Sequence, residues 1–392
     1  MKVSQRLLTI NGAPGQDDGW SVHYDARRRK DAGEDITLLT VGDHDSETPD
    51  HVLTAMDAAV RGGDTRYAPV NGKLDLRAAI AARTQARTGV PTTADNVFVA
   101  TGGQGALFAA MMGACEIGDT VTIIDPYYAT YPATVRAAGA NVTIHATNPD
   151  LGFQPQRDAL IEATKGSRAL LVNTPNNPTG AVYTNETVAA IRDACLRNDL
   201  WLISDEVYDT QTHGPAHVSP RQLPDMAART LVVGSLSKSH VMTGFRIGWL
   251  VGPADFIAPL TDLTNGTTYG VAGFIQTAAL EALSHGFQTE SRTAALYTRR
   301  RNLAVVTLSG HNIVKLSPPD GAMYVMLDIR ATGLSGLDFA TRLLAEEGIA
   351  TMPGESFGGA AAGHVRVALT VPDDDLAAAL ERIAHFATRV SP

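Results

Sequence analysis

The stretch Leu231-Val-Val-Gly-Ser-Leu-Ser-Lys-Ser-His-Val-Met-Thr-Gly-Phe-Arg246 decides how this chain is read. An apolar, β-branched run ends in Ser235, Ser237 and Lys238, and Arg246 follows eight residues later. Two hydroxyls, an amine and a guanidinium therefore gather where a buried strand stops, and the C-terminal ends of strands are where α/β sheets bind ligands. Lys238 differs from Lys2, Lys30, Lys73, Lys165 and Lys315, which read as terminus, surface helix or turn. By position alone a solvated Lys238 is the simpler reading. Desolvated, it is the residue type that forms a Schiff base with an aldehyde cofactor.

Working outward, three more segments place polar groups after apolar runs. Leu200-Trp-Leu-Ile-Ser-Asp-Glu-Val-Tyr208 puts Asp205 at a strand end, where it is either a helix cap or the partner of a cation such as a protonated pyridine nitrogen. Val172-Asn-Thr-Pro-Asn-Asn-Pro-Thr-Gly180 is a Pro-rich turn whose two adjacent asparagine amides the turn itself does not explain. Val97-Phe-Val-Ala-Thr-Gly-Gly-Gln-Gly-Ala-Leu107 reads as strand, Gly-rich turn and helix start, so the N–H groups of Gly102, Gly103 and Gln104 form a phosphate cradle on a helix dipole. It is no dinucleotide fingerprint, because Phe108 stands where the third glycine is required.

These segments sit in a repeating theme of short apolar run, turn and helix-spaced stretch. The runs are Asn96 to Ala100, Val121 to Ile124, Ala169 to Val172, Leu200 to Ile203, Leu231 to Val233 and Ile247 to Val251. Continuous rather than alternating hydrophobicity predicts strands covered on both faces, hence an α/β fold with a mostly parallel central sheet. After about residue 285 the pattern changes to a smaller α+β layer. It holds a strand over Ala322 to Leu327, a helix over Leu337 to Glu346 and alternating Val365 to Leu369. A last helix follows Pro372, with Asp373, Asp374 and Asp375 at its start and Leu376, Leu380 and Ile383 on one face. The expected division is a large domain over 51–284, with 1–50 and 285–392 forming the small one. No internal repeat is visible.

Composition sets the outer limits. The chain has 392 residues, 44% of them hydrophobic and 19% charged, and a net charge of -9, which suits a folded enzyme and disfavours a polyanion partner. Cys115 and Cys195 lack metal-ligand or disulfide-framework spacing and read as reduced core thiols; no metal site is expected. The N-terminus lacks a signal-peptide core and no long apolar window occurs, so a cytoplasmic protein without a membrane segment is expected.

Together the four segments resemble the fold-type I pyridoxal-phosphate enzymes, specifically class I/II aminotransferases, over essentially the whole chain. The resemblance implies pyridoxal 5'-phosphate as cofactor and Lys238 as its Schiff-base lysine. Ser235, Ser237, Arg246 and the Gly102-Gly103-Gln104 backbone would hold the phosphate, Asp205 the pyridine nitrogen, and Asn177 and Tyr208 the 3-oxygen. Tyr128, in Asp125-Pro-Tyr-Tyr-Ala-Thr-Tyr, matches the aromatic stacked on the ring. Tyr67 matches a tyrosine lent to the neighbouring subunit, which implies a homodimer. Arg366, which alone reads as a solvent-facing charge on an alternating strand, matches the clamp for the substrate carboxylate, and Gly42 the bare backbone beside it. The family's Gly-Asp/Glu-Pro-Asp-Phe is departed from at His44 and Ser46.

The implied reaction is ping-pong transfer of an α-amino group to a 2-oxo acid, with the freed Lys238 amine moving the α-proton. No Lys or Arg lies between Arg246 and Arg292, and Gln104 stands where a related subgroup has lysine, so a dicarboxylate donor is disfavoured. Stretches such as Gly19-Trp-Ser-Val-His-Tyr-Asp-Ala and His217-Val-Ser-Pro-Arg-Gln-Leu-Pro-Asp-Met resemble arginine-pyruvate transaminases more than aspartate or aromatic enzymes. A basic or long polar donor with pyruvate as acceptor is the expectation. Asp17, Asp18, Glu47 and Asp209 are the candidate partners of a guanidinium. Trp20, Tyr24 and the Gly12, Gly15, Gly19 spacing suggest either a flap over the pocket or a surface-packed tail. The rivals that keep the cofactor are a C-S β-lyase, an amino-acid oxidase and an aspartate or broad-specificity aminotransferase. A transcription regulator lacks room for a DNA-binding domain, and a nicotinamide dehydrogenase lacks its glycine.

Overall fold

The computed structural model describes residues 2–12 and 19–392. A short strand, β1 (Thr37–Leu38), precedes the large sheet. That sheet contains β2 (Val97–Thr101), β3 (Thr120–Asp125), β4 (Asn141–Ala146), β5 (Ala169–Asn173), β6 (Trp201–Asp205), β7 (Thr230–Ser235) and β8 (Ile247–Val251), in the order β2-β8-β7-β6-β5-β3-β4. Only β8 runs against its neighbours, pairing antiparallel with both β2 and β7. Six of these strands are the apolar runs of the sequence. The seventh, β4, escaped that reading because it closes the sheet edge with mostly exposed residues, so it carries no buried run.

Burial alternates along each strand between the sheet's two faces. Ala169 and Leu171 join Ile123, Ile203 and Val233 against Ala106, Ala110 and Met111 of the helix Gly102–Ala114. Leu170 and Val172 face the other way, against Ile191 and Ala194 of the helix Asn185–Arg197. Farther along that second face, Val99, Val232 and Val251 meet Leu76, Ile80 and Ala279. Covered faces of this kind require the unbroken apolar runs seen in the sequence. Cys115 and Cys195 are both buried and unpaired; burial pushes their thiols up to about 11 and about 12, so neither is reactive at neutral pH.

The second layer is a four-stranded antiparallel sheet, with β9 (Lys315–Leu316), β10 (Tyr324–Asp328), β12 (Met352–Pro353) and β13 (His364–Ala368) in the order β12-β13-β10-β9; β11 (Ile349–Ala350) instead pairs parallel with β1. The helices Gly336–Glu347 and Asp373–Val390 cover it, and Leu376, Leu380 and Ile383 are buried as their spacing predicts. Asp373 does more than face its helix dipole. It accepts hydrogen bonds from Arg299 and Arg300, which hold its carboxyl down to about 2. Arg300 also pairs with Asp45, tying the N-terminal segment to the long helix Gly286–Thr307. None of the described helices is long and apolar enough to cross a membrane.

Leu380→Ala should cost about 2–5 kcal/mol, because its side chain is fully enclosed between the small sheet and its helices. A drop in the thermal unfolding midpoint, with no change in the cofactor spectrum of the surviving native protein, is the expected result.

Candidate active site

Because six strands run one way and β8 the other, the ends of β2, β5, β6 and β7 and the start of β8 share one edge of the sheet. Ser235 ends β7 and caps the short helix Leu236–Ser239, its hydroxyl accepting the Ser237 N–H at 3.1 Å. That turn directs Lys238 outward, half-buried. Arg246 precedes β8 in a left-handed conformation, φ 52°. A side chain on Gly102, φ +74°, would start 2.5 Å from the Arg246 guanidinium, and one on Gly248 would meet the Gly102-Gly103 backbone at 2.5–2.7 Å. Bare backbone at both positions leaves a polar cradle between the guanidinium and a helix N-terminus.

A cavity of about 310 Å³ opens at this edge. Gly42, Gly103, Gln104, Tyr128, Asn177, Asp205, Tyr208, Ser235, Ser237, Lys238, Arg246 and Arg366 all line it, so the residues singled out in distant parts of the sequence meet at one place. Tyr67 does not: it is 88% exposed on the surface, its ring 5.1 Å from that of Tyr269. Trp20, one of the residues suggested as a flap, also lines the cavity, whereas Tyr24 is exposed; the sequence passed over other lining groups, among them Tyr131, Thr243, Tyr324 and Phe357.

Two of these omissions carry much of the electrostatics. Tyr131 donates to Asp205 at 2.7 Å, and the Val207 N–H donates to the other carboxylate oxygen at 3.2 Å. With only these neutral donors, burial pushes the Asp205 carboxyl up to about 6. A buried carboxylate that faces the cavity with no cation bonded to it is what a protonated ring nitrogen would complete. Tyr324, the polar tip in the apolar β10, bonds Tyr208 hydroxyl to hydroxyl at 3.2 Å and lies 4.3 Å under the Arg366 guanidinium. It also closes on Gly42, where a side chain would begin 2.0 Å from its hydroxyl.

Arg366 corrects the solvent-facing reading of its strand, because every residue of β13 is buried. The guanidinium lies between the rings of Tyr324 and Phe357 and donates to Asn177 Oδ1 at 2.7 Å and to the Thr40 carbonyl; its Nε is buried without a partner among the described residues. An acceptor is missing there, as a carboxylate clamp requires. The Arg366 bond fixes Asn177 with its oxygen turned away, leaving its amide N–H₂ as the free donor. Asn176 is structural, its oxygen holding the Thr179 N–H and hydroxyl. One asparagine thus makes the turn and the other makes the site.

At the N-terminal edge, the Gly42 carbonyl accepts from Lys238 Nζ. His44, in place of proline, donates to or accepts from the Tyr297 hydroxyl at 2.8 Å, and burial together with the nearby Lys238 charge holds its pKa down to about 4, so it is neutral. The side-chain amide of Gln104 is occupied by Thr130 and Thr134. Asp209 is no free acid, since it pairs with Arg83 at 2.9 Å, and Glu47 does not line the cavity. Asp17, Asp18 and Gly15 lie outside the described residues.

Comparison with known proteins agrees with this geometry. The family model for aminotransferase class I and II matches residues 34–383. The arginine-pyruvate transaminase AruH of Pseudomonas aeruginosa is 42% identical over 374 residues, 95% of each chain. The aspartate/prephenate aminotransferase of Thermus thermophilus is 36% identical over 376 residues, 94% of this chain and 95% of that one. Among solved structures, the Thermus thermophilus aspartate aminotransferase with maleate superposes with a TM-score of 0.92 at 34% identity, covering 98% of this chain and all of that one.

A pH-dependent prediction follows from Asp205. Its folded pKa lies above the unfolded value, so its share of stability in the cofactor-free protein is full below about pH 4 and lost as the pH rises through about 6. Asp205→Asn removes that penalty. Cofactor-free Asp205→Asn should unfold at a higher temperature than the parent at pH 8, by on the order of 3 kcal/mol, with the gap closing toward pH 5. A gap independent of pH would contradict the assignment.

Proposed function

The chain belongs to the class I and II aminotransferases, which depend on pyridoxal 5'-phosphate, and from that premise we propose a transaminase that takes its amino group from a basic or long polar amino acid, arginine foremost. The acceptor in this reading is a 2-oxo acid such as pyruvate. The observation that carries the reading is the placement of Lys238 in one cavity with buried Asp205 and buried Arg366.

The residues fit the cofactor: an anion without a cation at Asp205, a glycine-lined cradle at Arg246, and hydroxyls at Ser235 and Ser237. When bound, the cofactor supplies an electron sink for the pair left at the substrate's α-carbon. In the proposed division of labour, Asp205 holds a proton on the ring nitrogen. Arg246, Ser235, Ser237 and the Gly102-Gly103-Gln104 backbone bind the phosphate, with Tyr67 reaching the phosphate of a partner subunit in a homodimer. Tyr128 covers the ring, while Asn177 and Tyr208 donate to its 3-oxygen. Arg366 receives the substrate α-carboxylate in a bidentate grip, held rigid by Asn177, Thr40 and the flanking rings. Lys238 Nζ, beside the Gly42 carbonyl, takes the proton from the α-carbon.

The donor preference draws on the 42% relative, whose name states arginine and pyruvate, and on the charges around the cavity. Among the described residues its lining cations are Lys238, Arg246 and Arg366, each with a task already, and no Lys or Arg lies between Arg246 and Arg292. A second substrate carboxylate therefore finds no spare cation there. The names of other relatives, aspartate and aspartate/prephenate aminotransferases, make a dicarboxylate donor the second reading.

The deciding measurement mixes loaded enzyme with each amino acid alone and follows the visible absorbance. Arginine or lysine should bleach it well ahead of aspartate, with recovery on adding pyruvate. Lys238→Ala should lose at least about 10³-fold in transamination rate. Release of ammonia, or of 2-oxo acid beyond one equivalent per bound cofactor with no acceptor present, would point to a lyase or oxidase instead.

A further inference from the structure

We propose that Asp43 is the anion that receives the distal positive charge of a basic donor and so sets the enzyme's preference for it; this rests on the basic-donor reading above. Only two acidic residues line the cavity among the described residues, Asp205 and Asp43. Asp205 lies buried at the end of β6, held by Tyr131 and Val207. Asp43 is exposed at the mouth, where the cavity meets two neighbouring surface depressions that it also borders.

Its position relative to the chemistry follows from the backbone. The Gly42 carbonyl takes the hydrogen bond of Lys238 Nζ, so the Asp43 carboxylate is carried one residue from the reacting amine. A rigid strut orients it: Thr243 Oγ1 donates to Asp43 Oδ1 at 2.8 Å, and the Thr243 carbonyl accepts from Arg246 Nη1 at 2.7 Å. Oδ2 has no hydrogen-bond partner among the described residues and remains available to an incoming donor. Trp20 and Val41 line the same cavity, giving the methylenes of a long side chain apolar surface while its charged end reaches the wetter mouth.

Among the described residues the competing candidates are otherwise engaged. Asp209 pairs with Arg83 and Asp45 with Arg300, and Glu47 does not line the cavity. For a dicarboxylate the same geometry is repulsive, since the Asp43 carboxylate stands at the mouth. Attraction for one class and repulsion for another is how a single charge makes specificity.

The test uses the holoenzyme and Asp43→Asn, which keeps an acceptor for Thr243 and removes only the charge. The readout is the ratio of kcat/KM for arginine to that for norleucine, a long donor without a charge. An exposed ion pair with substrate predicts a fall of about two- to fivefold in that ratio, and a parental ratio that declines with added salt as the pair is screened. Asp43→Lys should lower it further and raise aspartate relative to norleucine. If the parent prefers arginine but Asp43→Asn leaves the ratio unchanged, the role of Asp43 is overturned while the donor reading stands. If the parent transaminates norleucine or aspartate but not arginine, the donor reading fails and takes this inference with it.

Discussion

A carboxylate buried without a cation is the constraint on which the site turns. Asp205 sits at the end of an interior strand, enclosed by its neighbours and answered only by a tyrosine hydroxyl and a backbone N–H. Such a group is unfavourable in the isolated chain, which is why burial raises its pKa to about 6, and a bound cation relieves it. The fold tolerates the cost because the central sheet is covered on both faces by large apolar clusters. Stability given up at one strand end leaves a carboxyl that any cation bound there would stabilise.

Arg366 is the complementary case, a guanidinium buried in the smaller sheet. Its partners come from three separate parts of the chain: Asn177 from the turn after β5, the Thr40 carbonyl from the N-terminal segment, and the rings of Tyr324 and Phe357 from its own layer. The same N-terminal segment reaches Lys238 through the Gly42 carbonyl. The Arg366 guanidinium is thus where the two sheets and the N-terminal segment meet. The Arg366 Nε is buried without a partner among the described residues, so the site can still take an acceptor.

Much of this was legible in the sequence because it is local. Ser235, Ser237, Lys238 and Arg246 lie within one strand-turn segment, and the Gly102-Gly103-Gln104 turn directly follows a strand, so short-range geometry already sets their direction. What was illegible depended on residues far apart. Tyr131 stood inside a quoted segment, yet nothing near it announced Asp205, 74 residues away. Asp209 looked like a free acid until Arg83, 126 residues earlier in the chain, closed on it. The edge strand β4 was missed for the opposite reason: exposed residues leave no hydrophobic signature for a strand whose pairing is with backbone alone.

The sequence by itself determined the α/β class, six strands of the large sheet and the covered faces of the late helices, because each depends on periodicity or on neighbours within a turn or two. Tertiary structure alone decided which of the adjacent asparagines serves the site, since only the arrival of Arg366, 189 residues later, turns Asn177. It alone buried Arg366, whose alternating strand looks solvated until helices cover one face and Asn177, Thr40 and the Phe357 ring close over the other. It alone brought Asp43 to the mouth beside Lys238, 196 residues beyond Gly42. In each case the deciding partner is distant in the chain, and distance along the chain is what local pattern does not encode.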